Sequence, residues 1–206
     1  MPDLRAALTT CPIVAILRGV KPDEVDAIGD ALIEAGITVI EVPLNSPQPF
    51  ESIKRLAARY GARALVGAGT VLETADVARV KEAGGELVVA PNFDADVVRA
   101  ARAAGLASLP GVMTPSEGFA ALKAGADGLK LFPAEIIPPA VFKAWRAVFA
   151  PDTLLLAVGG VGVDNVRSYA EAGASGYGIG SALYKPGRPA AEIGKLARAL
   201  VAAAKA

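Results

Sequence analysis

The chain has 206 residues, a length that suits one domain, and we predict a single domain over residues 1–206. Hydrophobic residues make up 53% of the chain and the mean hydropathy is +0.43, yet no apolar run approaches the roughly 18 residues that a membrane span needs. The 21 basic and 21 acidic residues balance, so the composition gives no general attraction to nucleic acid or to an anionic membrane.

Cysteine and histidine usage narrows the chemistry. Cys11 is the only cysteine, so no internal disulfide can form, and residues 1–8 lack an apolar signal core; both features predict a cytoplasmic protein. The chain has no histidine, which excludes His-based acid–base catalysis, Ser-His triads and His-ligated zinc. A magnesium site built from carboxylates stays open. Catalysis would rest on Lys, Glu, Asp, Arg, Tyr and backbone groups.

Short apolar runs alternate along the chain with longer segments rich in Ala, Glu and Arg, and this pattern predicts strands and helices in alternation. The predicted strands are 13–17, 39–44, 64–68, 87–91, 107–109, 128–132, 154–158 and 176–179. The predicted helices between them are 22–35, 48–60, 74–83, 94–104, 115–124, 138–148 and 163–172. Helix ends are marked by a following glycine, as a C-terminal cap requires, at positions 36, 84, 105, 125 and 173.

Eight strands alternating with helices predict a single-domain α/β fold, a (β/α)8 TIM barrel. We expect an extra N-terminal helix over about residues 2–9 to close the bottom of the barrel, and a last helix over about 188–204. In such barrels the active site lies at the C-terminal ends of the strands. The polar side chains late in the predicted strands or directly after them are Arg18, Glu41, Asn45, Thr70, Asn92, Lys130 and Ser181.

Lys130 is the most informative of these residues. It lies in Gly-Leu-Lys-Leu-Phe-Pro at 128–133, where every neighbour is apolar, Gly or Pro. Because side chains alternate along a strand, Lys130 and Phe132 face one side if Leu129 and Leu131 face the other. Burial lowers the pKa of an ammonium group, and a neutral amine attacks carbonyl groups, so a Schiff-base lysine is the first hypothesis. The alternative is a stem packed in the core with its head in solvent or paired with a carboxylate.

Glu41 lies in Val-Ile-Glu-Val-Pro-Leu at 39–44. If Ile40 and Val42 face the helices, Glu41 faces the barrel interior and can interact with Lys130 across it. Glu41 would then act as general acid/base and Lys130 as nucleophile. The alternative is a buried structural salt bridge.

Arg18 and two glycine-rich turns indicate an anion site. Arg18 ends the first predicted strand, where a guanidinium can grip a phosphate or carboxylate, although it can equally be a solvated strand end. Val-Gly-Gly-Val at 158–161 and Gly-Ile-Gly-Ser at 178–181 follow strands seven and eight. This is the common phosphate site of the fold, but tight turns also need glycine.

Several further polar and aromatic residues admit more than one interpretation. Thr70 ends a Gly-Ala-Gly-Thr segment and can hydrogen-bond substrate or cap the next helix. Asn45, in Asn-Ser-Pro, can contact substrate hydroxyl groups or form a turn. Phe142 and Trp145 are predicted to pack in the core, and the Tyr-Lys-Pro-Gly run at 184–187 is predicted to be an exposed turn.

Taken together, these motifs resemble the 2-keto-3-deoxy-6-phosphogluconate and -galactonate aldolase family. The matching segments run in order over nearly the whole chain, from about residue 8 onward. They are Ile-Leu-Arg-Gly at 16–19, Glu-Val-Pro-Leu-Asn-Ser-Pro at 41–47, Gly-Ala-Gly-Thr-Val at 67–71, Pro-Asn at 91–92, Leu-Pro-Gly at 109–111, Lys-Leu-Phe-Pro at 130–133, Val-Gly-Gly-Val at 158–161 and Gly-Ser at 180–181.

The resemblance implies a homotrimeric class I aldolase that needs no metal and no cofactor. It implies cleavage of a phosphorylated 2-keto-3-deoxy sugar acid to pyruvate and glyceraldehyde 3-phosphate. By position, it makes Lys130 the Schiff-base lysine and Glu41 the proton shuttle. The substrate contacts that it implies are Arg18, Thr70, Gly160, Gly180 and Ser181. We also predict substrate contacts from Asn45, Pro91, Phe132 and Gly159.

One segment separates the branches of this family. Its gluconate enzymes usually have Glu-Val-Thr-Leu-Arg-Thr after strand two, where the Arg helps to hold the phosphate, whereas this chain has Pro43, Asn45 and Ser46 and looks like the galactonate branch. A gluconate or dual-specificity aldolase is the nearest alternative. A sugar-phosphate isomerase or synthase that forms no imine, or a non-catalytic phosphate-binding barrel, is the alternative of a different class.

Overall fold

The computed structural model describes residues 3–205, which contain nine strands in one parallel sheet. The order of the strands in the sheet is β5-β4-β3-β2-β1-β9-β8-β7-β6. The strands are β1 Ile13–Ile16, β2 Val39–Pro43, β3 Leu65–Gly69, β4 Leu87–Val89, β5 Ala107–Leu109, β6 Gly111–Val112, β7 Gly128–Leu131, β8 Leu154–Val158 and β9 Gly176–Ile179.

Strands β5 and β6 form one continuous stretch that Pro110 interrupts, and this stretch closes the barrel. β5 pairs with β4, and β6 pairs with β7. The backbone N–H of Lys130 donates to the carbonyl of Pro110 over 3.0 Å, so β7 stays bonded across the interruption. The predicted (β/α)8 barrel is therefore confirmed, but the predicted fifth strand ends too early at Leu109. Proline has no N–H for the ladder, which divides the strand without ending it.

The helices are α1 Leu4–Thr10, α2 Val25–Glu34, α3 Pro49–Tyr60, α4 Thr74–Glu82, α5 Ala95–Ala103, α6 Pro115–Ala124, α7 Pro139–Arg146, α8 Val166–Glu171 and α9 Ala190–Lys205. Short 3-10 turns cover Gly61–Arg63 and Ala134–Ile136. Local sequence explains the sharpest boundaries. The hydroxyl of Thr114 accepts from the N–H of Glu117 while that glutamate's carboxylate accepts from the N–H of Thr114, a capping box at the start of α6.

Two helices begin three residues later than their sequence patterns predict. The predicted helix 22–35 begins at Val25, because the carbonyl of Lys21 and the N–H of Glu24 close a turn over 3.1 Å before it. The predicted helix 163–172 begins at Val166, because the side chain of Asn165 bonds to the preceding loop instead. The predicted N-terminal helix 2–9 covers Leu4–Thr10 in the structure, and its residue 2 lies outside the described residues.

Side chains alternate along the strands between two apolar cores. Ile13, Ala15 and Leu17 belong to the larger core between the sheet and the helices, whereas Val14 and Ile16 belong to the core inside the barrel. The inner core also contains Leu4, Ala7 and Leu8 of α1, so this helix closes the amino end of the barrel as predicted. The carboxyl end remains open, and a ligand can reach the interior there.

Candidate functional site

Lys130 points into the barrel from β7. Its neighbours Leu129 and Leu131 lie in the outer core, so Lys130 and Phe132 face inward as predicted. The residue is 5% exposed, and its Nζ lies 4.7 Å from the ring centroid of Phe132. Burial lowers the pKa of Lys130, and the positive charge of Arg18 lowers it further, while Glu41 acts in the opposite direction. The surroundings of Lys130 therefore shift the amine toward its uncharged, nucleophilic form.

Glu41 points into the same interior from β2 and is 2% exposed. Its outward-facing neighbours Ile40 and Val42 lie in the outer core, as the alternation predicts. Burial raises the pKa of Glu41 to about 7, against the opposing effect of the positive charges on Lys130 and Arg18. An acid with a pKa near neutrality can both accept and return a proton, which suits a general acid/base.

Gly69 of β3 provides the space that the carboxylate of Glu41 occupies. A Cβ atom on Gly69 would lie 1.4 Å from Oε2 of Glu41, closer than any non-bonded contact allows. Oε2 is buried and accepts no hydrogen bond from the described residues. The glycine thus fixes where the carboxylate lies, and the orphan oxygen remains available to a donor on a ligand.

Glu41 and Lys130 face one small apolar hollow. It measures about 10 Å³, and its wall also includes Val14, Leu109 and Leu156. The six ion pairs within residues 3–205 include neither Glu41 nor Lys130. The pair is therefore close and electrostatically coupled, but it is not a closed salt bridge.

A cavity of about 420 Å³ opens above Lys130 at the carboxyl end of the barrel. Its wall combines the lysine with the turns after β1, β8 and β9. The lining residues are Ile16, Arg18, Lys130, Phe132, Glu135, Val158, Gly159, Gly160, Val161, Gly162, Gly178, Gly180, Ser181, Ala182 and Lys185. The structure thus brings together seven predicted site residues, namely Arg18, Lys130, Phe132, Gly159, Gly160, Gly180 and Ser181.

Arg18 is held at this mouth by the turn after β2. Its Nη1 donates to the side-chain carbonyl of Asn45 over 2.7 Å, and the backbone N–H of Gly19 donates to the hydroxyl of Ser46 over 2.9 Å. Asn45 therefore orients the guanidinium and leaves its charge uncompensated. The predicted contact of Asn45 with the substrate remains a prediction.

The glycines after β8 allow the chain to turn tightly at the mouth. Gly159 and Gly160 have φ values of +103° and +64°, which glycine adopts most readily. The side chain of Glu135 lies over both, because a Cβ on Gly159 would be 2.4 Å from its Oε2 and one on Gly160 would be 2.5 Å from its Cγ. Sequence reasoning missed Glu135. The only signal was its position five residues after Lys130, directly beyond the Phe-Pro-Ala run.

Thr70 and Pro91 follow β3 and β4 and lie outside the wall of this cavity. Thr70 has a φ of +57°, an uncommon conformation for a threonine, and backbone strain of this kind is concentrated at functional positions. The alternative of Thr70 as a helix cap is wrong, because the residue before α4 is Glu73. The predicted substrate contacts of Thr70 and Pro91 remain predictions.

A larger cavity, of about 610 Å³, lies at the other end of the barrel. Its wall includes Leu4 of α1 and Leu65 and Ala107, which begin β3 and β5. It contains none of the predicted site residues, and neither Lys130 nor Glu41 reaches it. The size of a cavity therefore does not identify the candidate site. The positions of Lys130 and Glu41 identify it.

Metal-site and membrane-span signatures are both missing from the part of the chain that the structure describes. Residues 3–205 contain no cluster of three or more His, Cys, Asp or Glu side chains arranged to hold a metal ion. No helix in that range combines the length and apolar character that crossing a bilayer requires.

A closed barrel with one buried lysine and one buried carboxylate, under a cationic and glycine-walled mouth, defines a class of protein. It is a (β/α)8 barrel with two buried ionisable groups beneath the open carboxyl ends of its strands, where enzymes of this fold have their active sites.

Comparisons with known proteins place the chain within that class. The family model described as KDPG and KHG aldolase matches residues 4–195. The "Probable 2-dehydro-3-deoxy-6-phosphogalactonate aldolase" of Rhizobium meliloti (strain 1021) is 48% identical over 93% of this chain and 91% of its own length. The "2-dehydro-3-deoxy-6-phosphogalactonate aldolase" of Escherichia coli (strain K12) is 43% identical over 95% of each chain. A solved structure described as "Native KDPGal structure" superposes with a TM-score of 0.93 at 42% identity and covers 94% of both chains.

The chain belongs to the KDPG and KHG aldolase family, and it is therefore an aldolase, a carbon–carbon lyase. The resemblance drawn from the sequence motifs is confirmed, as is the barrel fold that it implied.

Proposed function

We propose that this chain is a class I aldolase that cleaves 2-dehydro-3-deoxy-6-phospho-D-galactonate to pyruvate and D-glyceraldehyde 3-phosphate through a Schiff base on Lys130. The observation that carries the proposal is the buried lysine, which shares an apolar hollow with the buried Glu41. Lysine and glutamate together provide a nucleophile and a proton carrier, and the reaction needs no other reacting group.

The first half of the reaction uses the neutral amine of Lys130. Its lone pair attacks the C2 ketone of the substrate to give a carbinolamine, and loss of water gives an iminium ion. Burial and the nearby charge of Arg18, which lower the pKa of Lys130, raise the fraction of the amine that carries this lone pair. The apolar wall of the hollow disfavours charge on the free amine and leaves little room for competing water.

The second half uses Glu41 in both directions. As the C3–C4 bond breaks, its electrons move into the iminium, and Glu41 accepts the proton of the C4 hydroxyl directly or through a water. C4 leaves as the aldehyde carbon of glyceraldehyde 3-phosphate, and an enamine of pyruvate remains on Lys130. Glu41 then returns the proton to C3, and water releases pyruvate. A pKa of about 7 lets the same carboxyl group serve as base and then as acid near neutral pH.

The mouth supplies a subsite for the phosphate of the substrate. Arg18 provides a guanidinium that suits a phosphate, and Asn45 holds it in place. Gly180 and Ser181 follow β9 on the same wall, where a hydroxyl and backbone N–H groups can donate to phosphate oxygens. This arrangement supports a substrate with its carbonyl end in the barrel and its phosphate end at the mouth.

The choice of the galactonate epimer rests on two supports. The turn after β2 carries Asn45 and Ser46 in place of the Arg and Thr of the gluconate pattern, and the Rhizobium meliloti and Escherichia coli relatives are named for the galactonate substrate. The direct test compares kcat/KM for the two C4 epimers. A larger value for the galactonate epimer supports the assignment, and equal values support a dual-specificity aldolase.

The imine itself is tested by reduction. We would incubate the protein with pyruvate and sodium borohydride and map the adduct by mass spectrometry, with Lys130→Met and Lys195→Met as matched variants. We expect a reduced pyruvyl adduct on Lys130, its loss in Lys130→Met and its retention in Lys195→Met, since Lys195 lies on the exposed face of α9. No adduct on the folded wild-type protein would favour an isomerase, a synthase or a non-catalytic phosphate-binding barrel.

We also propose that the enzyme is a cytoplasmic homotrimer. The single cysteine, Cys11, is buried and forms no disulfide, which is compatible with a reducing compartment. Phe119 and Val148 are 50% and 58% exposed, and Phe119 stacks on Phe149 with ring centroids 4.3 Å apart. These exposed apolar side chains, on α6 and just after α7, suit a contact between subunits. The proposed number of three subunits comes from the family resemblance.

Light scattering coupled to gel filtration measures the number of subunits. We expect the mass of a trimer for the wild type and a smaller mass for Phe119→Asp, because an aspartate in an apolar interface is desolvated without a partner. A wild-type monomer would overturn the trimer, whatever its activity.

A further inference from the structure

Lys185 lies on the rim of the mouth cavity, although sequence reasoning assigned its segment to an exposed turn. The cavity of about 420 Å³ includes Lys185 in its wall together with Arg18 and Ser181. An adjoining cavity of about 300 Å³ is lined by the same three residues, with Tyr184 and Pro186 beside them. Any occupant of the mouth therefore meets the side of the loop that carries Lys185.

The backbone around Lys185 is anchored at this position. The N–H of Tyr184 donates to the carbonyl of Gly180 over 2.9 Å, and Tyr184 is 3% exposed. Pro186 packs against Gly19, since a Cβ on that glycine would lie 2.9 Å from Cγ of Pro186. The loop is thus fixed between the turns after β1 and β9, and the flexible stem of Lys185 starts from a defined point.

The charges at the mouth do not cancel. The ammonium of Lys185 forms no ion pair within 4.0 Å in the described chain, and Arg18 donates to the neutral amide of Asn45. The one carboxylate in the cavity wall belongs to Glu135, which lies over the glycines after β8 and repels an anion placed there. An anionic group at the mouth is therefore favoured on the side of Arg18 and Lys185.

Arg18 and Lys185 act at different distances from the reacting pair. The charge of Arg18 lowers the pKa of both Glu41 and Lys130, and the causes of those two shifts do not include Lys185. Arg18 thus influences the reacting atoms as well as the anion. Lys185 lies on the rim of the cavity, where its charge can act on an anionic group bound at the mouth.

We propose that Lys185 is a specificity-determining residue whose ammonium binds the phosphate group of the substrate, as the second positive charge beside Arg18. A phosphate monoester carries a charge of about −1.5 to −2 near neutral pH, so a single guanidinium leaves it partly uncompensated. Lysine binds phosphate as a mobile point charge, which suits an exposed rim from which a product must leave. This inference rests on the proposed function, because it assigns a role within that reaction.

The test uses the synthetic direction, with pyruvate and two acceptors that differ only in the phosphate. We would measure kcat/KM for D-glyceraldehyde 3-phosphate and for D-glyceraldehyde with the wild type and with Lys185→Gln, Lys185→Arg and Lys195→Gln. We expect Lys185→Gln to lower the ratio of the two values about tenfold, since one charge-assisted contact is lost. In Lys185→Arg the ratio of the two kcat/KM values should stay close to that of the wild type. In the exposed control Lys195→Gln it should equal that of the wild type.

Inorganic phosphate serves as a second probe that bypasses the chemistry. Its inhibition constant against glyceraldehyde 3-phosphate should rise in Lys185→Gln by a similar factor, and the difference from wild type should shrink at high salt. If Lys185→Gln leaves the ratio of the two kcat/KM values unchanged, whether both values stay the same or both fall equally, the role of Lys185 is overturned. Borohydride trapping with pyruvate is run in parallel: a wild-type protein without an adduct refutes the proposed function, whereas an adduct with an unchanged ratio refutes Lys185 alone.

Discussion

Gly69→Ala tests the geometry of the site without removing any reacting group. The added Cβ would lie 1.4 Å from Oε2 of Glu41, and non-bonded contacts of a Cβ are essentially never shorter than 3.0 Å. The carboxylate therefore has to move by about 1.6 Å. Displacement of a catalytic group by about 1 Å costs on the order of 10²-fold in rate, so we expect a loss of at least that size. The overpacked interior should also lower the free energy of unfolding by about 1–3 kcal/mol.

The assay follows the exchange of pyruvate methyl protons with deuterium by NMR, because exchange requires the imine and the proton carrier but no phosphate. Gly69→Ala should still form the borohydride-reducible adduct on Lys130 while exchange slows about 100-fold or more. Gly194→Ala is the matched control. A Cβ on Gly194 would meet its nearest neighbour, Arg198, at 3.4 Å, and no residue of α9 lines the mouth cavity. Wild-type exchange in a folded Gly69→Ala would refute the placement of Glu41 as the proton carrier.

Two further predictions concern stability. Because the folded-state pKa of Glu41, about 7, lies above its ordinary 4.5, the folded chain retains this proton between those pH values, and its free energy of unfolding falls as pH rises through that window. Glu41→Gln removes this pH dependence. Between pH 5 and pH 8, the free energy of unfolding measured by urea titration should therefore rise in the variant relative to the wild type by on the order of 3 kcal/mol. An equal change with pH in the two proteins would contradict the raised pKa. Arg146 donates to the carbonyls of Gly173 and Thr153 over 2.7 Å each and to the hydroxyl of Ser175 over 2.6 Å. Arg146→Met should therefore lower the free energy of unfolding by about 3 kcal/mol in urea, and a loss below about 0.5 kcal/mol would show that water replaces these bonds.

The alternation of side chains made the interior of the barrel predictable. Leu129 and Leu131, like Ile40 and Val42, were expected to face the helices, and this expectation placed Lys130 and Glu41 inside the barrel. Their burial is confirmed, and so is the packing of Phe142 and Trp145 in the outer core. The direction of each strand side chain follows from a local periodicity of two residues, so the sequence alone was enough to predict which side chains face the interior of the barrel.

The features that the sequence did not reveal depend on contacts between distant segments. Glu135 lies over glycines that follow the next strand, and Lys185 reaches a mouth that the turns after several strands build together. Neither residue belongs to a periodic pattern or a motif. The end of the predicted fifth strand was wrong for a different reason. Proline usually ends a strand, but here β4 pairs with the segment before Pro110 and β7 pairs with the segment after it.

The orphan oxygen of Glu41 has a consequence for the lifetime of the protein. No protein group within residues 3–205 donates to Oε2, so a ligand hydroxyl that donates to it forms a hydrogen bond that the protein itself does not supply. Ligand binding then stabilises the fold in proportion to ligand concentration, in addition to the contacts at the mouth. The empty enzyme is the form most open to local unfolding and proteolysis, so the abundance of this protein in a cell would follow the supply of the compound that it consumes.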